Sequence, residues 1–299
     1  EKAFEYLHIN AQRSPGHKGI FELYQAYRDG SYRSKRYRDI EPITFEPDIR
    51  KAIDLLESVA LSETAHHSTK KNVIHELANL FFHGYSGADV DYRKAEHYYN
   101  VLFNSTEVPI KKDSPVGKEL YNNRDTATER IKCNEQAVTS IFDTNLKCSV
   151  RGILRQNIKR AGAISIREND DFVADVYDSS RILDGSSQLV IYYHDNIFAR
   201  ATYTFPSNVD VKQIDEIRGF ISNKYGMHDE ETGRVSLGAA SFKWRLEDGI
   251  ELTVSRGWPI TTTYVVYDEP DNYKKMNSAI NEQKKERQVE EYEAQSNAF

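Results

Sequence analysis

The sequence predicts a two-part chain: a short α/α solenoid of helix-turn-helix repeats, followed by an α+β domain with a mainly antiparallel sheet. Three observations lead there. A Lys-Ala pair opens an amphipathic helical stretch three times, at Lys2-Ala3, Lys51-Ala52 and Lys94-Ala95. Before the second and third copies lies a matching segment, Leu23-Tyr24-x-Ala26-Tyr27-x-x-Gly30 and Leu77-Ala78-x-Leu80-Phe81-x-x-Gly84. Helix, glycine-containing loop and helix recurring in this way are the mark of stacked helical repeats. From about Ile131 the pattern changes to helices alternating with short alternating-polarity runs, the period of half-buried strands.

The most complete copy runs Leu77-Ala-Asn-Leu-Phe-Phe-His-Gly84 and then Asp91-Tyr-Arg-Lys-Ala95-Glu-His-Tyr-Tyr99. It resembles the Sel-one-like repeat, a branch of the tetratricopeptide superfamily, over about residues 1–105, within a helical-repeat domain expected over 1–108. The resemblance implies paired helices brought close by small Ala side chains, and adaptor or scaffold work through protein binding. Within the copy, Gly84 suits a left-handed helix end, and Asp91 is placed to cap the next helix. The chain departs from the family in spacing: its Lys-to-Lys steps are 49 and 43 residues, against roughly 36–40 for such repeats.

The extra length falls mainly in residues 31–47. There Arg33, Lys35, Arg36 and Arg38 alternate with Tyr32 and Tyr37. One reading is a basic, aromatic-lined patch for nucleic acid or an acidic protein partner; the other is a solvated insertion whose tyrosines pack on the next helix. The first Lys-Ala hit matches the second helix of a repeat with no first helix before it. Phe4, Leu7 and Ala11 are therefore expected to lack a sequence-adjacent partner: either upstream residues were removed or the opening helix docks in some other way. With no initiator Met the trimmed chain is favoured, and the missing piece is where a signal peptide or lipid anchor would lie.

Hydrophobic residues make up 39% of the 299 residues and aromatics 11%, enough for two cores. No run approaches the roughly 18 apolar residues of a membrane span. Net charge is −6, which disfavours general nucleic-acid binding. The two cysteines, Cys133 and Cys148, have no histidine between or beside them for a zinc site. They are left as a disulfide or as two buried thiols. A disulfide implies an oxidising compartment such as a bacterial periplasm or the exterior, with the cytoplasm as the alternative.

Residues 109–130 read as a polar junction, with Pro109 and Pro115. In 131–272, Val150–Ala161 has helical period and stops at Gly162. Strand runs follow at 172–177, 189–193 and 198–205, the last two joined by a turn at His194-Asp195-Asn196. A second helix, 209–225, stops at Gly226. Strands at 241–246, 250–256 and 262–267 complete the sheet. The short connections require antiparallel pairing, with helices on one face. Helix, glycine and strands occur twice over, which raises a pseudo-duplication. Residues 273–299 are dense in Lys and Glu and read as a solvated helix docked only by its first turns.

Chemistry finds little foothold. His75-Glu76-Leu77-Ala78-Asn79 lacks the second histidine of a helical zinc clamp. His66-His67 reads as a solvated pair. Asp170, Asp171, Asp175 and Asp178 match no calcium loop and read as a solvated turn. No catalytic, metal or cofactor residues are therefore expected. Arg256 and Trp258, in Arg256-Gly257-Trp258-Pro259, are residue types that anchor interfaces, although a Trp after a strand also fills core edges. The expectation is a protein-binding adaptor of the bacterial envelope, using the repeat surface. The alternative is an inhibitor or immunity-type protein acting through the α+β domain, and a third reading is an enzyme with a site in an inter-domain cleft.

Overall fold

The computed structural model describes residues 4–5, 8–9, 19–33, 41–84, 87–104, 110–206 and 211–296. It divides into two compact units, residues 1–132 and 133–299.

The first unit is built from helices packed pairwise: α1 (Gly19–Asp29), α2 (Ile49–Leu61), α3 (His67–His83) and α4 (Tyr92–Phe103). The two repeats match atom for atom at their corners. Gly30 and Gly84 are both left-handed, at φ 63° and 66°. The Asp48 N–H donates to the Tyr27 carbonyl at 2.8 Å, and the Asp91 N–H to the Phe81 carbonyl at 2.9 Å. Each aspartate then caps the following helix, accepting from the Lys51 and Lys94 amides at 3.0 Å. Ala52 and Ala95 are both fully buried, which lets the helices approach. Between glycine and aspartate the first repeat carries 11 more residues than the second. That insertion starts and ends as a two-residue ladder, β1 (Ser31–Tyr32) with β2 (Ile43–Thr44).

With no preceding helix, Phe4 docks in another way: its ring meets those of Tyr27, Tyr32 and Phe45, so α1 and the insertion cover it, while Leu7 and Ala11 lie outside the described residues. One expectation needs correction: residues 115–130, expected as part of a polar junction, are helical. They belong to α5 (Pro115–Gln136), whose buried residues Gly117, Leu120 and Ala127 fall on one side of an otherwise polar helix.

The second unit is an eight-stranded, wholly antiparallel sheet in the order β5-β6-β7-β8-β12-β11-β10-β9. Helix α6 (Arg151–Arg160) precedes β5 (Ile164–Arg167), β6 (Ala174–Asp178), β7 (Gln188–His194) and β8 (Ile197–Phe205). Helix α7 (Lys212–Tyr225) precedes β9 (Glu230–Arg234), β10 (Ala239–Arg245), β11 (Glu251–Arg256) and β12 (Thr263–Asp268). Each half is thus a helix and a four-strand meander, and the last strands of the halves pair at the centre, from Phe205↔Thr263 to Arg200↔Asp268. Leu154 and Ile158 of α6 share one core with Ile214, Ile217 and Ile221 of α7 and with the inward side chains of the sheet. Asp195 and Asn196, at φ 48° and 61°, make the β7–β8 turn.

Helices do not all lie on one face. The terminal helix α8 (Pro270–Ser296) packs on β7 and β8 through the opposite side. There Arg200, which alternates away from Tyr203, pairs with Asp268 and stacks on Tyr273. Met276 is buried, whereas residues 281–292 are exposed, so only the first turns dock.

Cys133 and Cys148 form a disulfide, with Cα atoms 6.2 Å apart. It ties the last turn of α5 to the segment after a small hairpin, β3 (Ser140–Ile141) with β4 (Thr144–Asn145). Asp248, in the β10–β11 turn, fixes the start of that hairpin: it accepts from the Val138 and Thr139 amides at 3.0 and 2.8 Å and from the Thr139 hydroxyl at 2.9 Å.

Candidate functional site

Two surfaces of the α+β unit stand out, an apolar tip and a cleft. The tip lies where β10 begins and β11 ends, at one end of the sheet. Ala240 pairs with Arg256, so Leu237-Gly238 and Gly257-Trp258-Pro259-Ile260 leave the sheet side by side. Gly238 is left-handed at φ 81°, and a Cβ there would stand 3.3 Å from Trp258 Cε3. Glycine is therefore required twice over, for its backbone and for the ring that lies on it. Trp258 is 71% exposed, with Ile260 and Leu237 at 69% each. Three large apolar side chains so displayed are the composition of an interface centre.

Trp258 thus does not close the core. Trp244 does, fully buried and donating to the Gly226 carbonyl at 2.9 Å. Arg256 does not join Trp258 at the surface as expected. It is 4% exposed, and its Nε donates to the Thr261 carbonyl at 3.3 Å. The reason is register: Leu252, Val254 and Arg256 share the inward face of β11. Its guanidinium holds the 257–262 loop closed instead of meeting a partner.

The cleft, of about 710 Å³, lies over the β8–β12 seam where the two halves meet. Its floor is Tyr203 and Phe205 of β8 with Val265 and Tyr267 of β12. One wall is α7, through Ile217, Phe220 and Ile221; the others are the β3–β4 hairpin and the 182–185 loop. The hairpin can stand there because Asp248 anchors its first strand. Burial of the carboxyl raises its pKa, but the Thr139 and Val138 donors outweigh that and hold it below the usual range. Burial first, and then the neighbouring phenols of Tyr267 and Tyr225, holds Tyr203 well above the ordinary phenol range. The floor is neutral and offers no base at physiological pH.

Other titratable groups are used structurally. Asp175, expected in a solvated turn, is fully buried. Both its oxygens are taken by Arg151, at 3.0 and 2.6 Å, and by Arg155, at 2.8 and 2.9 Å. Hydrophobic neighbours surround it in sequence, and the matching arginines four residues apart on α6 were the overlooked signal. His66 caps α3 by accepting from the Ser68 amide. Asn79 donates to His75 at 3.0 Å and accepts from the Tyr99 hydroxyl at 2.8 Å. Among the described residues no group of three His, Cys, Asp or Glu is arranged to hold a metal ion.

In the first unit Tyr32 is half-buried against Phe4, and Arg33 is exposed. Arg36, Tyr37 and Arg38 lie outside the described residues. Among the described residues no helix is long and apolar enough to cross a membrane. Comparison with protein-family models, curated proteins and solved structures finds no match to this chain.

Proposed function

We propose that this protein is a non-catalytic adaptor that acts by binding another protein. The observation that carries this reading is the tip, on the α+β unit and not on the repeat surface that the sequence pointed to: Trp258, Ile260 and Leu237 are exposed on a backbone shaped to support the ring. A displayed Trp is the residue type most enriched among the few that dominate interface energies. The stacked helix pairs, with their twin glycine and aspartate corners, support the Sel-one-like reading of the first unit and supply a second surface. The disulfide supports work in an oxidising compartment, of which the bacterial periplasm is the proposed one. A second reading has the same Trp258 tip blocking a target enzyme, since a protruding loop held on a rigid sheet suits an inhibitor.

The test is to recover binding proteins from a periplasmic extract with the purified chain, then measure direct affinity for each. Trp258→Ala is expected to weaken binding by at least about tenfold, as loss of a central aromatic anchor does. Tyr32→Ala with Arg33→Ala should have a smaller effect. If the second pair weakens binding and Trp258→Ala does not, the repeat surface carries the contact. If the partner is an enzyme inhibited in proportion to binding, the second reading stands. Absence of any specific partner at micromolar concentration would overturn both.

A further inference from the structure

The cleft over the β8–β12 seam has a composition different from that of the tip. Its floor and walls are apolar and aromatic, while its rim carries Asp143, Asp184 and Glu216, all exposed. Among the described residues none of the three makes an ion pair. Among the described lining residues the one cation is Lys224, which donates to the Ser140 carbonyl at 2.9 Å, so three carboxylates outnumber it and the rim is net negative. Phe220 stands on the lip, 75% exposed on a helix whose Ile214, Ile217 and Ile221 are buried. It is an aromatic side chain that the core does not use.

We propose that this cleft is a second binding site, and that its occupant is a cationic segment of a partner protein, with aliphatic or aromatic side chains entering the cleft and Lys or Arg flanking them. Charge decides the class of occupant. A segment with flanking cations gains from Asp143, Asp184 and Glu216 at once, whereas an anionic one would be repelled by all three. The apolar floor asks for side chains rather than a purely ionic contact. The volume lies within the range that takes a compact ligand or a few side chains. The neutral Tyr203 and Tyr267 floor accommodates them without a buried charge.

The probe is a fluorescein-labelled, end-blocked heptapeptide in which lysine alternates with leucine and phenylalanine. It is titrated with the intact, oxidised chain by anisotropy, against the same peptide with glutamate for lysine. The cationic peptide is expected to bind and to weaken as salt rises. Asp184→Lys with Glu216→Lys should cost about tenfold or more in affinity, and Phe220→Ser a similar factor. All three positions are exposed, and circular dichroism checks that the variants fold. Trp258→Ala should leave this binding unchanged, which separates the cleft from the tip.

Equal binding of the anionic peptide, or indifference to the charge reversals, would overturn the proposal, as would no binding at all. If dodecyltrimethylammonium binds below its micelle concentration by titration calorimetry, and Phe220→Ser abolishes that binding while no peptide binds, the occupant is a small cationic amphiphile and the protein-segment assignment fails.

Discussion

Arg151 grips Asp175 with two prongs, Nε to one carboxylate oxygen at 3.0 Å and Nη2 to the other at 2.6 Å, and both side chains are shut away from solvent. Arg155 adds a second pair of bonds to the same oxygens. The cluster joins α6 to the sheet. Asp175→Asn would leave the Arg151 guanidinium buried without its counter-charge, an arrangement that costs about 3–5 kcal/mol. Urea unfolding of the variant should show a midpoint lowered accordingly. Asp170→Asn, whose carboxylate is exposed on the rim of the same cluster, should change it little.

The same cluster sets a pH dependence. Burial pushes the Asp175 carboxyl up, but the hydrogen bonds from Arg155 and Arg151 outweigh it and hold the group below its ordinary range. Asp248 is lowered in the same way by Thr139 and Val138. A carboxylate lowered on folding contributes stability that is complete above its unfolded pKa, near 4. That contribution is lost as pH falls through the folded value. Thermal midpoints should therefore be level from pH 7 to about 5 and fall steeply below about 4. In Asp175→Asn the fall should be shallower, which a series of melting scans reads directly.

Reduction offers an independent check on the second unit. The Cys133–Cys148 link closes a loop with a sequence separation of 15. Such a link stabilises by about 3 kcal/mol through the unfolded chain. Cys133→Ser with Cys148→Ser should lower the melting temperature of this unit by roughly 6–12 °C. Alkylation without reductant should label neither cysteine in the native sequence. Labelling of both would remove the argument for an oxidising compartment.

How much of this was legible depended on how each element meets its neighbours. The repeat could be read because its corners need particular residues: left-handed Gly30 and Gly84, capping Asp91, close-packed Ala52 and Ala95; the matching cap at Asp48 emerged only from the structure. The inner strands could be read because they bury one face, as at Leu189, Ile191 and Tyr193. The edge strands β5 and β9 went unseen, since every residue in them is exposed and no alternation arises. Helix α5 was hidden by its polarity, with three buried residues among 22. Arg256 was misplaced even though its step of two from Leu252 and Val254 put it on the inner face. The cleft has no local signature at all. Its lining comes from a hairpin, a loop, a helix and two strands that only the sheet order brings together.

The two tryptophans give the candidate surface an optical test that needs no partner. Trp258 is 71% exposed on the tip, while Trp244 is 1% exposed and hydrogen-bonded to the backbone. Iodide should quench part of the native fluorescence, the red-shifted part, and leave a blue-shifted remainder. Trp258→Phe should remove the quenchable component and leave stability nearly unchanged, since the lost ring contacts are mainly with solvent and Gly238. Gly238→Ala should do the reverse. Its side chain would crowd the Trp258 ring and occupy a left-handed backbone, at a cost of about 1 kcal/mol or more. The ring is then expected to shift, changing both emission and quenching. If Trp258→Phe leaves iodide quenching intact, the ring is covered in solution and the tip cannot be the surface that meets a partner.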